Sequence, residues 1–324
     1  MEYRRLGSAG VRVSALSLGA WVTFGGQVGE DVAQECMTRA YDAGVNFFDN
    51  AEAYADGNAE IVMGAALKKL GWARDTFLVS SKVFWGGSGP NQQGLSRKHV
   101  FEACHAALRR LRVEYLDFFF CHRPDPSTPI EETTRVMHDL VTQGKVLYWG
   151  TSEWSAQQIA EACQLADQRN LYRPQMEQPE YNMFHRERVE REYRELYARY
   201  GLGTTTWSPL MSGLLSGKYL DGIPHGTRVT LPGYAWLKQK FESDVTRSRL
   251  GCVRKLKGLA DSLECTLAQL ALAWCLKNPH VSTVITGASR PEQVTENMRA
   301  LDVLPRLTDE VMARIETTLR EAAS

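Results

Sequence analysis

Two hydrophobic rhythms alternate along the chain. Short apolar runs with the length of buried strands fall at residues 15–18, 45–49, 77–82, 115–122, 146–152, 175–178, 203–207 and 281–286, and segments of helical period separate them. Two segments show that period well. Val100, Ala103, Cys104, Ala107, Leu108 and Leu111 follow i, i+3, i+4, i+7, i+8, and Leu267, Leu270, Ala271, Trp274 and Cys275 do the same. Start signals support two more helices. Thr128-Pro129-Ile130-Glu131 sets a capping-box Thr and Glu around a Pro at the first helical position, and Ser155-Ala156-Gln157-Gln158 repeats the box with Gln. These helices are predicted to begin at about residues 129 and 156. Ahead of the repeat, Tyr3 to Leu6 and Val11 to Val13 read as a short hairpin turned at residues 7–10.

Eight strands alternating with helices fit either a closed barrel or an open doubly wound sheet. An open dinucleotide-binding sheet would carry Gly-x-Gly-x-x-Gly after its first strand, and the chain lacks that pattern. The expected fold is therefore α/β, a single (α/β)8 TIM barrel over residues 1–324 with an N-terminal β-hairpin and a C-terminal helix. Residues 213–219 approach a phosphate loop but miss its spacing and its final Ser or Thr. From Trp207 to about Ser243 there is little periodicity and several Gly and Pro, which predicts a lid or strap on the loop face of the barrel.

Composition narrows the function classes. With 44% hydrophobic residues, 23% charged residues and 38 basic against 38 acidic side chains, the chain is globular and has no electrostatic footprint for nucleic acid or an anionic membrane. No run approaches the ~18 apolar residues of a membrane span, and Met1-Glu2-Tyr3-Arg4-Arg5 leads into Gly7 and Ser8 rather than a signal-peptide core, so a cytoplasmic protein is expected. Seven cysteines, at 36, 104, 121, 163, 252, 265 and 275, form no Cys-x-x-Cys pair. That argues against a disulfide framework and a cysteine zinc site, leaving buried free thiols, and no metal-ligand spacing occurs elsewhere.

The candidate chemistry lies at strand ends. Asp49, Tyr54, Lys82 and His122 each stand at or just after the end of an apolar run, and parallel strands around a barrel would bring those ends to one face. Taken singly, each has an ordinary reading: a packed Tyr, an Asp–Lys salt bridge, a satisfied buried His. Jointly they are what carbonyl reduction by a nicotinamide needs. Tyr54 would donate the proton, Lys82 would stabilise the phenolate and lower its pKa, Asp49 would hold Lys82, and His122 would orient the carbonyl.

Longer segments carry a resemblance. Asp49-Asn50-Ala51-Glu52-Ala53-Tyr54, Ser81-Lys82 and Cys121-His122-Arg123-Pro124-Asp125 resemble the tetrad segments of the aldo-keto reductases. Over nearly the whole chain the sequence is similar to the branch containing the β subunits of voltage-gated potassium channels. Residues 19–27, 94–99, 148–152, 207–210 and 287–289 carry that similarity.

The resemblance implies a barrel that binds NADPH in an extended pose, with Tyr54 as general acid. Trp21 and Gln27 would lie on the first βα-loop, and Asp49, Ser152 and Gln178 near the nicotinamide. Trp207, Ser208, Pro209, Leu210 and Ser212 would follow the ring, ribose and pyrophosphate. Lys218, Arg228, Gly287, Ser289, Gln293, Glu296 and Asn297 would hold the phosphates and adenosine. Trp21, Tyr54, Trp85 and His122 would face the substrate, with specificity in residues 84–94 and 224–240, where Trp85 and Tyr234 are candidate apolar walls.

Two departures from the channel subunits stand out. His122 replaces their Asn and matches the wider reductases, which favours an active enzyme, and Glu153 replaces their Arg. The expected function is reduction of aldehydes or ketones. The alternatives are a redox-sensing channel subunit, disfavoured because the chain starts almost directly at the hairpin, and sugar or alcohol oxidation in the reverse direction. A homo-oligomer, a tetramer by similarity, is expected.

Overall fold

Strands buried on both faces need cover on both, which a ring of parallel strands wrapped in helices supplies. The computed structural model describes residues 1–224, 228–230 and 235–321. It opens with an antiparallel hairpin, β1 (Tyr3–Arg5) and β2 (Arg12–Ser14). Eight parallel strands then close into a barrel: β3 (Leu16–Gly19), β4 (Phe47–Asp49), β5 (Leu78–Val83), β6 (Leu116–Cys121), β7 (Val146–Ser152), β8 (Met176–Gln178), β9 (Gly203–Thr206) and β10 (Thr283–Thr286), with β10 pairing β3 and β9. This is the (α/β)8 barrel expected from the alternating pattern. Most strand bounds shift by a residue or two; the run at 45–49, for instance, pairs only from Phe47.

The two-residue period of a strand decides what enters the barrel. Phe47, Phe118, Phe120, Met176 and Ile285 gather in one apolar cluster with Leu6, Ala9 and Val13 of the hairpin segment. Phe48, Val79, Val83, Phe119 and Cys121, one residue out of step, join instead the core beneath the helices. Going up β4, β5 and β6 with the inward parity, apolar Phe47 and Phe118 give way to Asp49, Ser80, Lys82 and His122. An apolar plug thus ends in a polar top.

The helices are α1 (Glu30–Asp42), α2 (Asn58–Leu70), α3 (Arg97–Leu111), α4 (Ile130–Thr142), α5 (Ala156–Arg169), α6 (Arg194–Tyr200), α7 (Ala235–Glu242), α8 (Asp244–Ser262), α9 (Leu267–Lys277), α10 (Pro291–Met298), α11 (Ala300–Val303) and α12 (Asp309–Glu321). In α3 the predicted stripe is buried in full. In α9 burial runs around nearly the whole circumference, because Leu272, Ala273 and Leu276 extend the stripe to the other faces.

Ser155 caps α5 with the expected reciprocal box, whereas the box predicted at Thr128 does not form. Pro129 is the cap residue of α4, and the Thr128 hydroxyl donates instead to Asp125 Oδ2 at 2.7 Å. Asp125, three residues earlier, competes for it.

The chain divides into two compact units. The first, residues 1–180, 187–207 and 279–298, holds the barrel strands. The second, residues 181–186, 208–278 and 299–324, holds α7, α8, α9, α11 and α12, where Arg186 and Glu316 pair at 2.8 Å. The stretch expected to lack periodicity contains a 3-10 turn at Met211–Ser216 and the whole of α7. Tyr234 and the side chain of Arg228 lie outside the described residues. Among the described residues no single helix is long and apolar enough to cross a membrane. All seven cysteines are free thiols, six of them buried.

Candidate active site

Lys82 is the centre of the polar top. Its side chain is fully buried, and its ammonium donates to Asp49 Oδ2 at 2.7 Å, to the Asn50 carbonyl at 2.8 Å and to Tyr54 Oη at 2.9 Å. Three donors meet three acceptors, so the buried cation is fully satisfied. Burial pulls the Lys82 pKa below 10.5, and Asp49 opposes that pull. Asp49 Oδ1 in turn accepts from Ser80 Oγ at 2.8 Å and from Gln178 Nε2 at 3.1 Å.

Tyr54 opens a short turn, Tyr54–Gly57, in which Ala55 and Asp56 hold left-handed φ of 50° and 53°. Such strain in residues with a Cβ collects at functional sites. Val22, Glu153, Ser208, Met211 and Ser212, which follow β3, β7 and β9, share the left-handed conformation. Burial, and next Asp49, push the Tyr54 pKa well above 10, with Arg123 opposing. Burial and Asp49 set the direction for the resting phenol, while Lys82 Nζ stands 2.9 Å from Oη, within reach of a phenolate. With Nζ donating to Oη, the phenol's own hydrogen must point elsewhere.

His122 follows β6, its N–H bonded to the Val83 carbonyl at 3.0 Å. Its ring lies 5.8 Å from the Tyr54 ring and 5.0 Å from that of Trp85, centroid to centroid. Burial, then the charges of Lys82 and Arg123, hold its pKa well below 6.5, so the imidazole is neutral. Nδ1 is buried with no hydrogen-bond partner among the described residues.

The candidate cofactor residues of the first unit form two groups. Ser152 Oγ donates to the Gln178 carbonyl at 2.8 Å, and Gln178 reaches both Asp49 and Thr205 Oγ1. Trp21 and Trp207 meet edge to face at 5.6 Å. At the start of α10, Gln293 Oε1 accepts from the backbone N–H of Ser289 at 2.8 Å, and Asn297 Nδ2 donates to the Gly287 carbonyl at 3.4 Å. Gly287 faces open space, since an added Cβ would meet nothing within 4 Å. Gln27 and Glu296 are exposed.

In the second unit, Ser208, Met211, Ser212, Gly213 and Gly217 all have positive φ. Several N–H groups of this segment are spent within the turn, Met211 N–H on the Ser208 carbonyl at 2.9 Å and Gly213 N–H on the Leu210 carbonyl at 2.9 Å. Lys218 stands in the same segment, its Nζ 4.9 Å from the centroid of the Tyr219 ring. In the first unit, the open backbone at Gly287 and the Ser289 hydroxyl are groups that could hold a phosphate-bearing cofactor.

Glu153, the departure noted in the sequence, has a clear structural role. Its Oε1 accepts from the Glu180 N–H at 2.6 Å and from Trp207 Nε1 at 3.0 Å, and its Oε2 pairs with Arg188 at 2.7 Å. The sequence reading missed Ser80 and assigned no part to Arg123. Ser80 was within reach, because it lies two residues before Lys82 on the same inward parity.

A sequence profile of the aldo/keto reductase family matches residues 15–320. A protein of Oryza sativa subsp. japonica named "Probable voltage-gated potassium channel subunit beta" is 53% identical over 321 residues, covering 99% of this chain and 97% of that protein. One of the same name from Arabidopsis thaliana is 53% identical over 322 residues, with the same coverage. The chain therefore belongs to the aldo/keto reductase family.

Proposed function

We propose that the protein reduces aldehydes or ketones to alcohols with NADPH, Tyr54 acting as general acid. The observation that carries this reading is the buried Lys82 ammonium bound at once to Asp49, Asn50 and Tyr54. When bound, NADPH supplies the hydride that adds to the carbonyl carbon. Tyr54 gives its proton to the carbonyl oxygen, and Lys82 Nζ, already donating to Oη, stabilises the phenolate left behind. Asp49 keeps Lys82 charged and in place. Neutral His122 donates to the oxygen as negative charge builds there.

Ser152, Gln178, Trp21 and Trp207 would hold the nicotinamide end, residues 208–218 the pyrophosphate, and the Gly287–Asn297 group the adenosine. The test is turnover of a carbonyl panel followed by NADPH absorbance, in wild type and in Tyr54→Phe. Removing one hydroxyl while keeping the ring should leave cofactor affinity nearly unchanged and lower kcat by ~100-fold or more. Full turnover in Tyr54→Phe, with chemistry rate-limiting, would falsify the assignment.

A second reading rests on the names of the two plant relatives. As an auxiliary channel subunit in the cytoplasm, assembled with copies of itself, the protein would keep its role in Tyr54→Phe and co-purify with a channel.

A further inference from the structure

Next to the tetrad stands a cation with no carboxylate paired to it among the described residues. Lys82 is matched by Asp49 at 2.7 Å, but Arg123 forms no ion pair among the described residues. Its Nη1 donates to the His122 carbonyl at 2.5 Å and reaches Ser152 Oγ at 3.4 Å, which accounts for one of its three nitrogens. The guanidinium carbon lies 5.3 Å from the centroid of the Trp85 ring, and that ring also packs against His122. Its charge is felt at three of the four groups assigned to the reaction, favouring the ionised phenolate of Tyr54 and disfavouring protonation of Lys82 and His122.

A role for Arg123 in merely tying down the end of β6 explains Nη1 alone. It leaves unexplained why a half-buried fork, with Nε and Nη2 making no hydrogen bond and no ion pair among the described residues, is held against the Trp85 ring. A guanidinium offers parallel N–H groups that fit a carboxylate in two bonds, and a positive charge without a paired acid draws anions.

We propose that Arg123 is an anion subsite, making this a site for carbonyl compounds that also carry a carboxylate, held by the guanidinium while the carbonyl oxygen meets Tyr54 and His122. The proposal rests on the reductase reading and names its substrate class. Trp85, 40% exposed and flanked by His122 and Arg123, forms the apolar wall between the two ends of such a molecule.

The test compares 4-carboxybenzaldehyde with its methyl ester, the same molecule without the charge. With NADPH and wild-type protein at low salt, kcat/KM for the acid should exceed that for the ester by about 10- to 100-fold, the worth of a charge-assisted hydrogen bond. The ratio should shrink as salt rises. Arg123→Gln should bring it close to one, and Arg123→Lys, which keeps charge but loses the fork, should leave it between the two. A ratio near one in wild type, or one undiminished in Arg123→Gln, overturns the proposal.

Calorimetry with terephthalate, which has no aldehyde to reduce, separates this question from turnover. Binding to the wild-type holoprotein that weakens tenfold or more in Arg123→Gln upholds the subsite even if no carbonyl is reduced. Equal affinity for terephthalate and its dimethyl ester rejects it.

Discussion

At the scale of single residues, the resting site holds Tyr54 and His122 in the forms that the proposed reaction requires. Tyr54 is protonated because burial, with Asp49 adding, raises its pKa well above 10, and His122 is neutral because burial and two nearby cations lower its pKa well below 6.5. The acid form of Tyr54 is present below its pKa and is lost as pH rises through it. The neutral form of His122 is present above its own. Neither Tyr54 nor His122 titrates between pH ~6.5 and ~10, so kcat/KM for reduction should be flat near neutrality, falling at acid pH as His122 protonates well below 6.5 and at alkaline pH as Lys82, its pKa below 10.5, loses its charge. A pH profile on one aldehyde, corrected for cofactor stability, checks this. A loss of activity with a midpoint near neutrality would contradict the assigned protonation states.

At the scale of elements, what the sequence displays depends on which force places a residue. Asp49, Lys82 and His122 were legible because an apolar run followed by one polar side chain marks the end of a buried strand, and the inward parity then does the rest. The cap at Ser155 was legible because its box is local. At Thr128 the same local rule failed, since Asp125 competes for the hydroxyl. Contacts that depend on tertiary proximity left no pattern: Arg123 on Trp85, and Glu153 on Trp207.

Gly64 is another such case. In a helix interior, Gly is worth up to ~1 kcal/mol less than Ala, which would make Gly64→Ala stabilising. In α2, however, an added Cβ would sit 2.2 Å from the Arg110 carbonyl oxygen at the end of α3. The glycine lets two helices approach, so Gly64→Ala should instead cost about 1–3 kcal/mol, the scale of overpacking. Urea unfolding of both proteins measures the sign; a stabilised variant would show that α2 and α3 can part freely.

For the whole molecule, the prediction concerns how two compact units unfold. The family match over residues 15–320 runs through both, and the residues that the resemblance assigns to the cofactor fall in each, Trp21, Gln178 and Asn297 in one and Ser208, Ser212 and Lys218 in the other. The single-domain reading over residues 1–324 predicts one cooperative transition on heating, coincident by near- and far-ultraviolet dichroism. NADPH should raise that transition as a whole, because a ligand bound only to the native state stabilises it by ~2.7 kcal/mol at a hundredfold excess over Kd. For a chain of this length that is a shift of about 4 °C. NADH at the same concentration should shift it less, since the resemblance places Arg228 and Ser289 where a 2′-phosphate would bind, and Arg228→Ala should narrow the difference. Two separate transitions, only one of them moved by NADPH, would show that the units fold independently and that one alone holds the cofactor. Equal shifts by the two cofactors would remove the preference for NADPH while leaving the single domain intact.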